Sequence, residues 1–348
     1  MILAFVMTLG GCRDVEDFSD VRRDDPFANF DCLAKVVDSR YCYFADKGVD
    51  WARVTRHYRS RITRNTDPGS LYVIMAEMLD MLKDGHVNLI APFATSYYKK
   101  WWSDYPQDFD NRCLQQYYLG FGGLQTGSIQ YVIFVEDKEG KKGRVGYMRC
   151  PSFSTAVSET ALDYILTTFR DTDGMIIDVR DNGGGLLTNV GTIVGRFIDH
   201  KIVGGFIRHK TGPAHDAFSE PYAVTYSPSS RVHYNGPVAV LTNRSTFSAA
   251  NDFVSVMKQL PQVTVIGART GGGGGLPFSS ELPNGWAIRF SASPISDANG
   301  VVTEFGIDPT ADFEVHCTAA DLAAGHDAIL DRAISYIRSL GKAAEGKE

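Results

Sequence analysis

Apolar residues recur at three- and four-residue spacing in the first part of the chain, which is the period of amphipathic helices. The stretches FANFDCLAKVVDSRYCYF, DWARVTRHYRSRI and SLYVIMAEMLDMLKDG all show this spacing within residues 25–92. Asp50 and Asp67 stand at the start of two of them and supply helix-start signals. We therefore predict a small helical bundle over 25–92, followed by a short strand in KDGHVNLIAP.

A different pattern begins near residue 144, where short apolar runs alternate with stretches of helical spacing. The runs MIIDV and VAVLT are almost continuously apolar, which is typical of strands buried on both faces of a parallel sheet. Alternation of strand and helix indicates an α/β fold, and we place it over 141–348. The stretch DLAAGHDAILDRAISYIRSL is predicted to close this domain as one amphipathic helix.

Residues 93–140 are mixed in pattern and rich in Tyr and Trp. We interpret them as a connecting segment that contains one strand, SIQYVIFVED, before a polar turn. Their aromatic side chains either pack against the helical bundle, which we favour, or line a groove.

Composition and charge narrow the class of function. The apolar and charged fractions are those of an ordinary globular protein, and the formal net charge is −6 with a pI of about 5.8. A chain of this charge has no electrostatic footprint for nucleic acid, so no nucleic-acid partner is expected. No stretch approaches the roughly 18 to 20 apolar residues of a membrane-spanning helix.

The first twelve residues, MILAFVMTLGGC, are apolar, then small, and end at a cysteine that precedes a polar stretch. They resemble the end of a bacterial lipoprotein signal, which implies an acylated Cys12, a tether over 1–24 and a lipid-anchored location in the cell envelope. The stretch departs from such signals because no Lys or Arg precedes a short apolar run. The alternative is a cytoplasmic chain whose amino-terminal segment is buried.

The remaining cysteines are Cys32, Cys42, Cys113, Cys150 and Cys317. They form no C-x-x-C pair, so no metal site is predicted, and we expect most of them to be small buried apolar residues. A disulfide between Cys32 and Cys42 stays open.

The stretch IIDVRDNGGGLL leads from a predicted strand through three glycines into a predicted helix. Such a turn exposes backbone N–H groups that can bind a phosphate or an oxyanion, although a plain tight turn explains an isolated glycine triplet equally well. It matches neither a P-loop nor a G-x-G-x-x-G fingerprint, so no nucleotide cofactor is expected.

The stretch NRSTFSAANDF places three hydroxyl side chains just before another predicted helix. Ser248 at the first turn would be suited to nucleophilic attack, with the N–H of Ala249 facing the carbonyl oxygen. The alternative is that Ser245 or Thr246 simply caps the helix, which is worth about 1 kcal/mol. A serine nucleophile needs a base, and His86 stands directly after a glycine at the junction of bundle and strand. From the residues alone, catalytic and structural roles of His86 both stay open.

Six segments now occur in a diagnostic order: DGHV, GYMRCPSF, IIDVRDNGGG, NRSTFSAAND, VIGARTGGGGG and EFGIDPTADFEV. In that order they resemble the C-terminal-processing and tricorn-type serine peptidases over about residues 27 to 340. The resemblance implies an α/β core of the ClpP/crotonase type, preceded by a small helical domain, that hydrolyses peptide or protein substrates without a cofactor. Fewer than 60 residues separate His86 from RVGYM, which is too few for the complete PDZ domain that many members carry.

The resemblance also implies roles for particular residues. Ser248 matches the nucleophile of the family's S-A-x-E motif, in which Asn251 here replaces the usual acid. The N–H groups of Gly184 and Ala249 match the oxyanion-hole donors, and Gly183 is the near alternative.

The general base distinguishes two branches of that family. The processing peptidases use a lysine from the motif G-E-x-T-x-G-K-G, and here GARTGGGG puts Gly273 in its place. The tricorn-like branch uses a histidine, which corresponds to His86, and a carboxylate that corresponds to Glu304. The alternative is that Glu304 is an ordinary surface residue without a role in the site. The serine that stands beside the histidine in tricorn proteins is Gly85 here.

We therefore predict a serine endopeptidase of the cell envelope whose catalytic domain spans 141–348. Residues 93–140 and the loop over 208–230 are expected to shape substrate access. Two alternatives stay open: an inactive peptidase fold that binds peptides, lipids or glycans, which the departures at Asn251 and Gly85 motivate, and a crotonase-like acyl-CoA enzyme. The latter is disfavoured by the lipoprotein-like amino-terminal stretch, since coenzyme A is cytosolic, and by the order of the six segments. The sequence indicates neither oligomeric state nor cleavage specificity.

Overall fold

The computed structural model describes residues 24–138 and 141–345, which form one mixed β-sheet and one antiparallel β-sheet with helices around them. The α-helices in this part of the chain are α1 (Pro26–Arg40), α2 (Trp51–Arg59), α3 (Pro68–Asp80), α4 (Lys100–Ser103), α5 (Asn111–Cys113), α6 (Glu159–Thr168), α7 (Leu187–Val194), α8 (Ala249–Met257), α9 (Ala319–Ala323) and α10 (Ala328–Glu345). The strands are β1 (Asn88–Ala91), β2 (Ala94–Thr95), β3 (Leu124–Thr126), β4 (Ile129–Lys138), β5 (Lys141–Arg149), β6 (Gly174–Asp178), β7 (Ile202–Ile207), β8 (Tyr222–Tyr226), β9 (Val238–Thr242), β10 (Val263–Gly267), β11 (Gly275–Glu281) and β12 (Ala287–Asp297).

The core sheet has the strand order β10-β9-β6-β5-β4-β3, and its four strands β5, β6, β9 and β10 run parallel. Every residue of β6, β9 and β10 is buried, as expected for strands covered on both faces. Successive side chains of β6 point to opposite faces: Ile177 packs with helices α6 to α8, and Ile176 packs with α10. The predicted α/β fold is confirmed.

Strands β3 and β4 extend the same sheet in antiparallel fashion. Part of the segment 93–140, which we predicted to be connecting, therefore belongs to the core sheet. The strand predicted from SIQYVIFVED is present as β4.

The second sheet has the order β2-β1-β12-β7-β8, with β11 paired to β12. Helices α1 to α3 form where the apolar spacing predicts them, each with an aspartate N-cap whose side chain accepts backbone N–H groups. Their apolar faces pack against Trp286, Ile288 and Phe290 around β12, so the bundle and this sheet share one core. The strand that follows the bundle, β1, pairs directly with β12.

The prediction of one unbroken C-terminal helix is wrong. The stretch divides into α9 and α10 because Gly325 adopts a φ of 91°, which ends a helix readily. Asp327 then starts α10, since its side chain accepts the backbone N–H of Leu330 at 3.0 Å. The same carboxylate also binds buried Arg180 at 2.8 Å, which fixes the break in place.

The five cysteines of the described residues are all buried and none forms a disulfide, so the open question of a Cys32–Cys42 disulfide is answered in the negative by this structure. Cys12 and the rest of the predicted tether, apart from Asp24, lie outside the described residues. Within residues 24–138 and 141–345, no helix combines the length and the apolar character needed to cross a membrane.

Candidate active site

Ser248 lies between the end of β9 and the start of α8, in a backbone conformation that non-glycine residues rarely adopt. Its φ is 55° and its ψ is −124°. Such strain persists only where the surroundings impose it, and it is typical of a nucleophile on a sharp strand-to-helix turn. Here the Ser248 N–H donates to the carbonyl of Gly272 at 2.8 Å, and the Phe247 N–H donates to the carbonyl of Asn182 at 2.9 Å.

His86 lies on the segment between α3 and β1 and contacts this turn. It follows α3, and its backbone N–H donates to the carboxylate of Asp84 at 2.8 Å. The imidazole is 4% exposed and packs against the ring of Phe247. Its Nε2 atom lies 3.0 Å from Oγ of Ser248, across 162 residues of sequence. That distance is within hydrogen-bond reach, as proton transfer from the serine requires.

The interpretation of Ser245 or Thr246 as a helix cap is wrong. Helix α8 begins at Ala249, and Ser248 itself occupies the N-cap position without a side-chain hydrogen bond to the helix. Thr246 is buried and donates from Oγ1 to the carbonyl of Val179 at 2.8 Å, which joins this loop to the end of β6. The Ser248 hydroxyl therefore does not cap the helix, and it contacts Nε2 of His86 instead.

The glycine triplet after β6 lies against Ser248. A methyl group added to Gly184 would come within 2.8 Å of both the Ser248 Cβ and the Ala249 nitrogen. The Gly184 N–H, however, donates to the side-chain oxygen of Asn182 at 2.9 Å, so in this structure it is not free to bind an oxyanion. The N–H groups of Gly183 and Ala249 have no hydrogen-bond acceptor among the described residues.

Two positions where glycine replaces a residue of a family motif, Gly273 and Gly85, have packing explanations. A side chain at Gly273 would lie 2.5 Å from the ring of Phe247, which leaves no room for a lysine. A side chain at Gly85 would lie 2.6 Å from Nε1 of Trp101, whose ring stacks on Phe247 with centroids 4.2 Å apart. The Phe247–Trp101 stack therefore occupies the space that larger residues at both positions would need.

Asn251 is fully buried and holds two loops together. Its side-chain oxygen accepts the Thr270 hydroxyl at 2.6 Å, and its side-chain nitrogen donates to the carbonyl of Thr303 at 3.2 Å. A carboxylate could not donate that second hydrogen bond. The amide at this position thus connects α8 to the segment that carries Glu304.

Glu304 is buried, as a site residue would be, yet its carboxylate forms no hydrogen bond with His86. Its Oε1 atom binds Nζ of Lys47 at 2.6 Å, and Lys47 also lies 3.5 Å from Oδ2 of Asp84. Nδ1 of His86 and Oε2 of Glu304 are both buried and have no hydrogen-bond partner among the described residues. Sequence reasoning misses the role of Lys47 because this residue lies 257 positions from Glu304 and outside every quoted segment. Asp84 opens the segment DGHV, but nothing in the sequence indicates its contact with Lys47.

The charges of this cluster set the protonation of the site. Burial lowers the pKa of His86 to about 4, although the nearby Asp84 carboxylate raises it. Burial raises the pKa of Glu304 to about 8, helped by Asp84 and opposed by Lys47. Burial also opposes ionisation of Asp84, but Lys47, His86 and the hydrogen bonds to this carboxylate together outweigh burial and lower the pKa of Asp84. Near neutral pH the imidazole is therefore uncharged and able to accept a proton.

The hydroxyl of Ser248 opens into a cavity of 450 Å³ whose lining includes His86, Tyr97, Gly183 and Arg289. A larger cavity of 830 Å³ adjoins it behind Trp101. The predicted access segment contributes Tyr97 and Trp101 to this region, whereas His209 of the 208–230 loop lines neither cavity. No group of three or more His, Cys, Asp or Glu suited to a metal ion occurs in the described part of the chain.

Comparison with known proteins matches the chain to a family. The model of peptidase family S41 matches residues 144–313, and the tricorn protease C1 domain matches residues 23–80. A crystal structure of a candidate peptidase from Parabacteroides merdae is 44% identical, with a TM-score of 0.84, over 90% of this chain and 96% of that one. The chain belongs to peptidase family S41.

Other similar proteins share less sequence identity with this chain. The tricorn protease of Thermoplasma acidophilum is 27% identical over 202 residues, which are 57% of this chain and 17% of that protein. Two chlamydial proteins match over 16% and 18% of their own lengths, so this chain spans a small part of these curated relatives. Mature CPAF complexed with lactacystin shares the fold at 13% identity, with a TM-score of 0.74 over 91% of this chain.

The S41 assignment confirms the predicted family and the predicted class, serine-type peptidases. The structure brings Ser248, His86, Gly183 and Gly184 together around one cavity, and Ala249 follows Ser248 as the first residue of α8. Glu304 does not line this cavity and is bound to Lys47. The individual roles of these residues stay predictions.

Proposed function

We propose that this S41 chain is a serine endopeptidase in which Ser248 is the nucleophile and His86 is the general base. The observation that carries the proposal is the 3.0 Å contact between Nε2 of His86 and Oγ of Ser248, made by a serine in a strained turn. The names of its relatives, which include tricorn protease, support peptide bonds as the bond cleaved.

In the proposed acylation step, Oγ of Ser248 attacks the peptide carbonyl carbon while its proton passes to Nε2 of His86. The carbonyl oxygen becomes an oxyanion, which the free N–H groups of Ala249 and Gly183 are available to bind. Donors of this kind contribute roughly 3 to 4 kcal/mol each to the transition state. Gly184 would join them only if its N–H left Asn182.

The proton on Nε2 then passes to the leaving amine, the carbon–nitrogen bond breaks, and an acyl-enzyme on Ser248 remains. A water molecule that gives its proton to His86 attacks the ester, and the serine is regenerated. Because the free enzyme holds His86 neutral, no proton has to be removed before the first step.

Peptide hydrolysis by variants tests these roles. With internally quenched peptides, Ser248→Ala and His86→Ala should each lower kcat by at least about 10⁴-fold, as removal of an interdependent pair does in other serine peptidases. Ser245→Ala, which changes a neighbouring hydroxyl, should retain activity. Equal turnover by Ser248→Ala and the unaltered protein would contradict the proposal. A folded, unaltered protein without any activity would favour the alternative of an inactive peptidase fold that binds peptides, lipids or glycans.

The proposed location is the cell envelope, with a lipid on Cys12. This part rests on the sequence LGGC at residues 9–12, which lie outside the described residues. Metabolic labelling with a fatty-acid analogue should mark the protein, and Cys12→Ser should abolish the label. Retention of the label by that variant would refute lipidation at this residue.

A further inference from the structure

Arg289 stands out in the cavity around Ser248. Of the residues that line this cavity it is the one with a permanent charge, and none of the lining residues carries a carboxylate. A cavity with one sign of charge attracts a ligand group of the opposite sign.

The register of the second sheet fixes where Arg289 lies. On β12 it is directly opposite Asn88 of β1, and directly opposed residues of paired strands present their side chains on the same face. Asn88 follows His86 by two positions and lines the same cavity. The charge of Arg289 also acts on His86, where it adds to the effect of burial in lowering the pKa of that imidazole.

The guanidinium of Arg289 has no bonded partner among residues 24–138 and 141–345. The residue is partly buried, yet the described residues offer its side chain neither a hydrogen bond nor an ion pair within 4.0 Å. Asp84 is the carboxylate that acts electrostatically on Arg289. Its oxygens already pair with Lys47 and accept hydrogen bonds from the Tyr41 hydroxyl and the His86 backbone N–H. Buried arginines in proteins are normally paired, so this donor set is available to a ligand.

We propose that Arg289 determines specificity by binding a carboxylate of the peptide substrate close to the scissile bond. The inference rests on the proposed function, because it concerns the substrate of the Ser248 site. A planar guanidinium binds a carboxylate through two parallel hydrogen bonds, which gives both affinity and orientation. The carboxylate belongs either to an Asp or Glu side chain or to the free carboxyl terminus of the peptide.

Matched peptides distinguish these two sources. In a quenched peptide series, one Glu or Gln is moved through the positions on either side of the cleaved bond, and each peptide is made as a free acid and as an amide. At one position the Glu peptide should be cleaved with a kcat/KM about 10- to 100-fold above that of its Gln partner, as expected for a charged hydrogen-bonded pair. If the terminus is recognised instead, the same ratio should separate acid from amide.

Variants assign that preference to Arg289. Arg289→Gln should reduce the ratio to near one, and Arg289→Lys should restore part of it, since an ammonium supplies charge without the paired geometry. Arg170→Gln removes an equal charge from an exposed position after α6 and should keep the full ratio. An unchanged ratio in Arg289→Gln, or no carboxylate preference in the unaltered protein, would overturn the inference.

Measurements of peptide binding distinguish a failure of this inference from a failure of the proposed function. In the Ser248→Ala background, calorimetry with the same peptides should give tighter binding of the carboxylate member of the pair, and Arg289→Gln should abolish the difference. Carboxylate-dependent binding without hydrolysis by the unaltered protein would retain the inference and refute the peptidase proposal. Hydrolysis by the unaltered protein together with equal binding of both peptides would support the peptidase proposal and refute the role of Arg289.

Discussion

His86 combines two properties at the residue scale that a general base needs: contact with the nucleophile and an uncharged ring. The contact is the 3.0 Å distance to Ser248, and the uncharged state follows from burial against Phe247. Burial costs the charged imidazolium more than the neutral ring, and the single carboxylate that acts on it, Asp84, compensates only partly.

The pH dependence of activity follows from this balance. Since His86 acts in its neutral form, activity is full above its pKa and falls as the pH drops through it. The acid limb of kcat/KM, which reports the free enzyme, should therefore lie near pH 4 rather than at the value of an ordinary histidine. A steady-state pH profile with a quenched peptide measures this, and an acid limb at or above pH 6.5 would be inconsistent with a buried neutral base.

Substitutions of Asp84 and Glu304 should affect kcat differently, which shows which of the two carboxylates supports His86. Asp84 is ionised and binds the backbone of His86, so Asp84→Asn should lower kcat by roughly 10- to 100-fold through loss of a charged contact. Glu304 has a pKa raised to about 8, so Glu304→Gln resembles its protonated form and should change kcat little at pH values well below 8. Above that pH the variant and the unaltered protein should diverge.

Measurement of kcat for both variants across pH, with circular dichroism to verify folding, distinguishes the two carboxylates. A larger loss in Glu304→Gln than in Asp84→Asn at neutral pH would assign the supporting role to Glu304, as the family resemblance implies.

The residues of the site differ in how far sequence reveals them. Ser248 and His86 occur in recognisable motifs, so the resemblance finds both. Lys47 occurs in no such motif, and Asp84 opens the segment DGHV without an implied role. The importance of both residues arises from burial and the ion pairs around Lys47, which only the folded chain creates. The Gly184 N–H illustrates the same limit, since its engagement by Asn182 depends on a side-chain rotamer.

At the scale of elements, two strand-to-helix turns build the site: the glycine triplet between β6 and α7, and the serine turn between β9 and α8. Asn243 connects the first to the second, since its side chain exchanges hydrogen bonds with Asp181 at 3.0 Å and 2.7 Å. Adjacent parallel strands deliver both turns to the same edge of the sheet, which is where α/β folds carry their sites.

Two glycines of the first turn give a matched test. Gly184 has a φ of 91°, and an added methyl group would meet the Phe247 carbonyl oxygen at 2.7 Å, so Gly184→Ala should displace the serine turn and abolish most hydrolysis. It should also destabilise the fold by about 1 to 3 kcal/mol, the usual cost of such strain. Gly183→Ala meets no atom within 4 Å and should retain stability. Chemical denaturation and peptide turnover measure both effects, and equal behaviour of the two variants would contradict the described packing.

Most elements are predictable from periodicity because long apolar patterns reflect burial directly. The three helices of the bundle and the buried strands β6 and β9 follow this rule. The break between α9 and α10 was not predicted, because the apolar period continues through Gly325 while Asp327 turns inward to Arg180. The positive φ of Ser248 is equally invisible, since tertiary contacts rather than propensity impose it.

At the scale of the whole molecule, the site forms only where two cores meet. His86 comes from the bundle and second sheet, whereas Ser248 and the glycine triplet come from the parallel sheet. The family resemblance predicts both parts and their order along the chain. Completion of the bundle's core by β12, about 200 residues further on, is a long-range pairing that periodicity cannot indicate.

Phe290 tests that shared core. It lies on β12 and is fully buried against the bundle helices, so Phe290→Ala should lower the free energy of unfolding by about 3 to 5 kcal/mol. Because β12 pairs with the strand that follows His86, peptide hydrolysis should be lost together with the bundle. Val301→Ala, at a residue 63% exposed, serves as the control and should be nearly neutral. Denaturant unfolding followed by both fluorescence and activity checks this, and full activity after loss of the bundle helices would contradict it.

The most direct test of the central claim is labelling by a fluorophosphonate probe, which reacts with a serine only when that serine is activated as a nucleophile. We predict one adduct on Ser248, located by peptide mass spectrometry, and its loss in both Ser248→Ala and His86→Ala. An adduct on another residue, or a folded protein that the probe does not label at all, would contradict the Ser248–His86 mechanism.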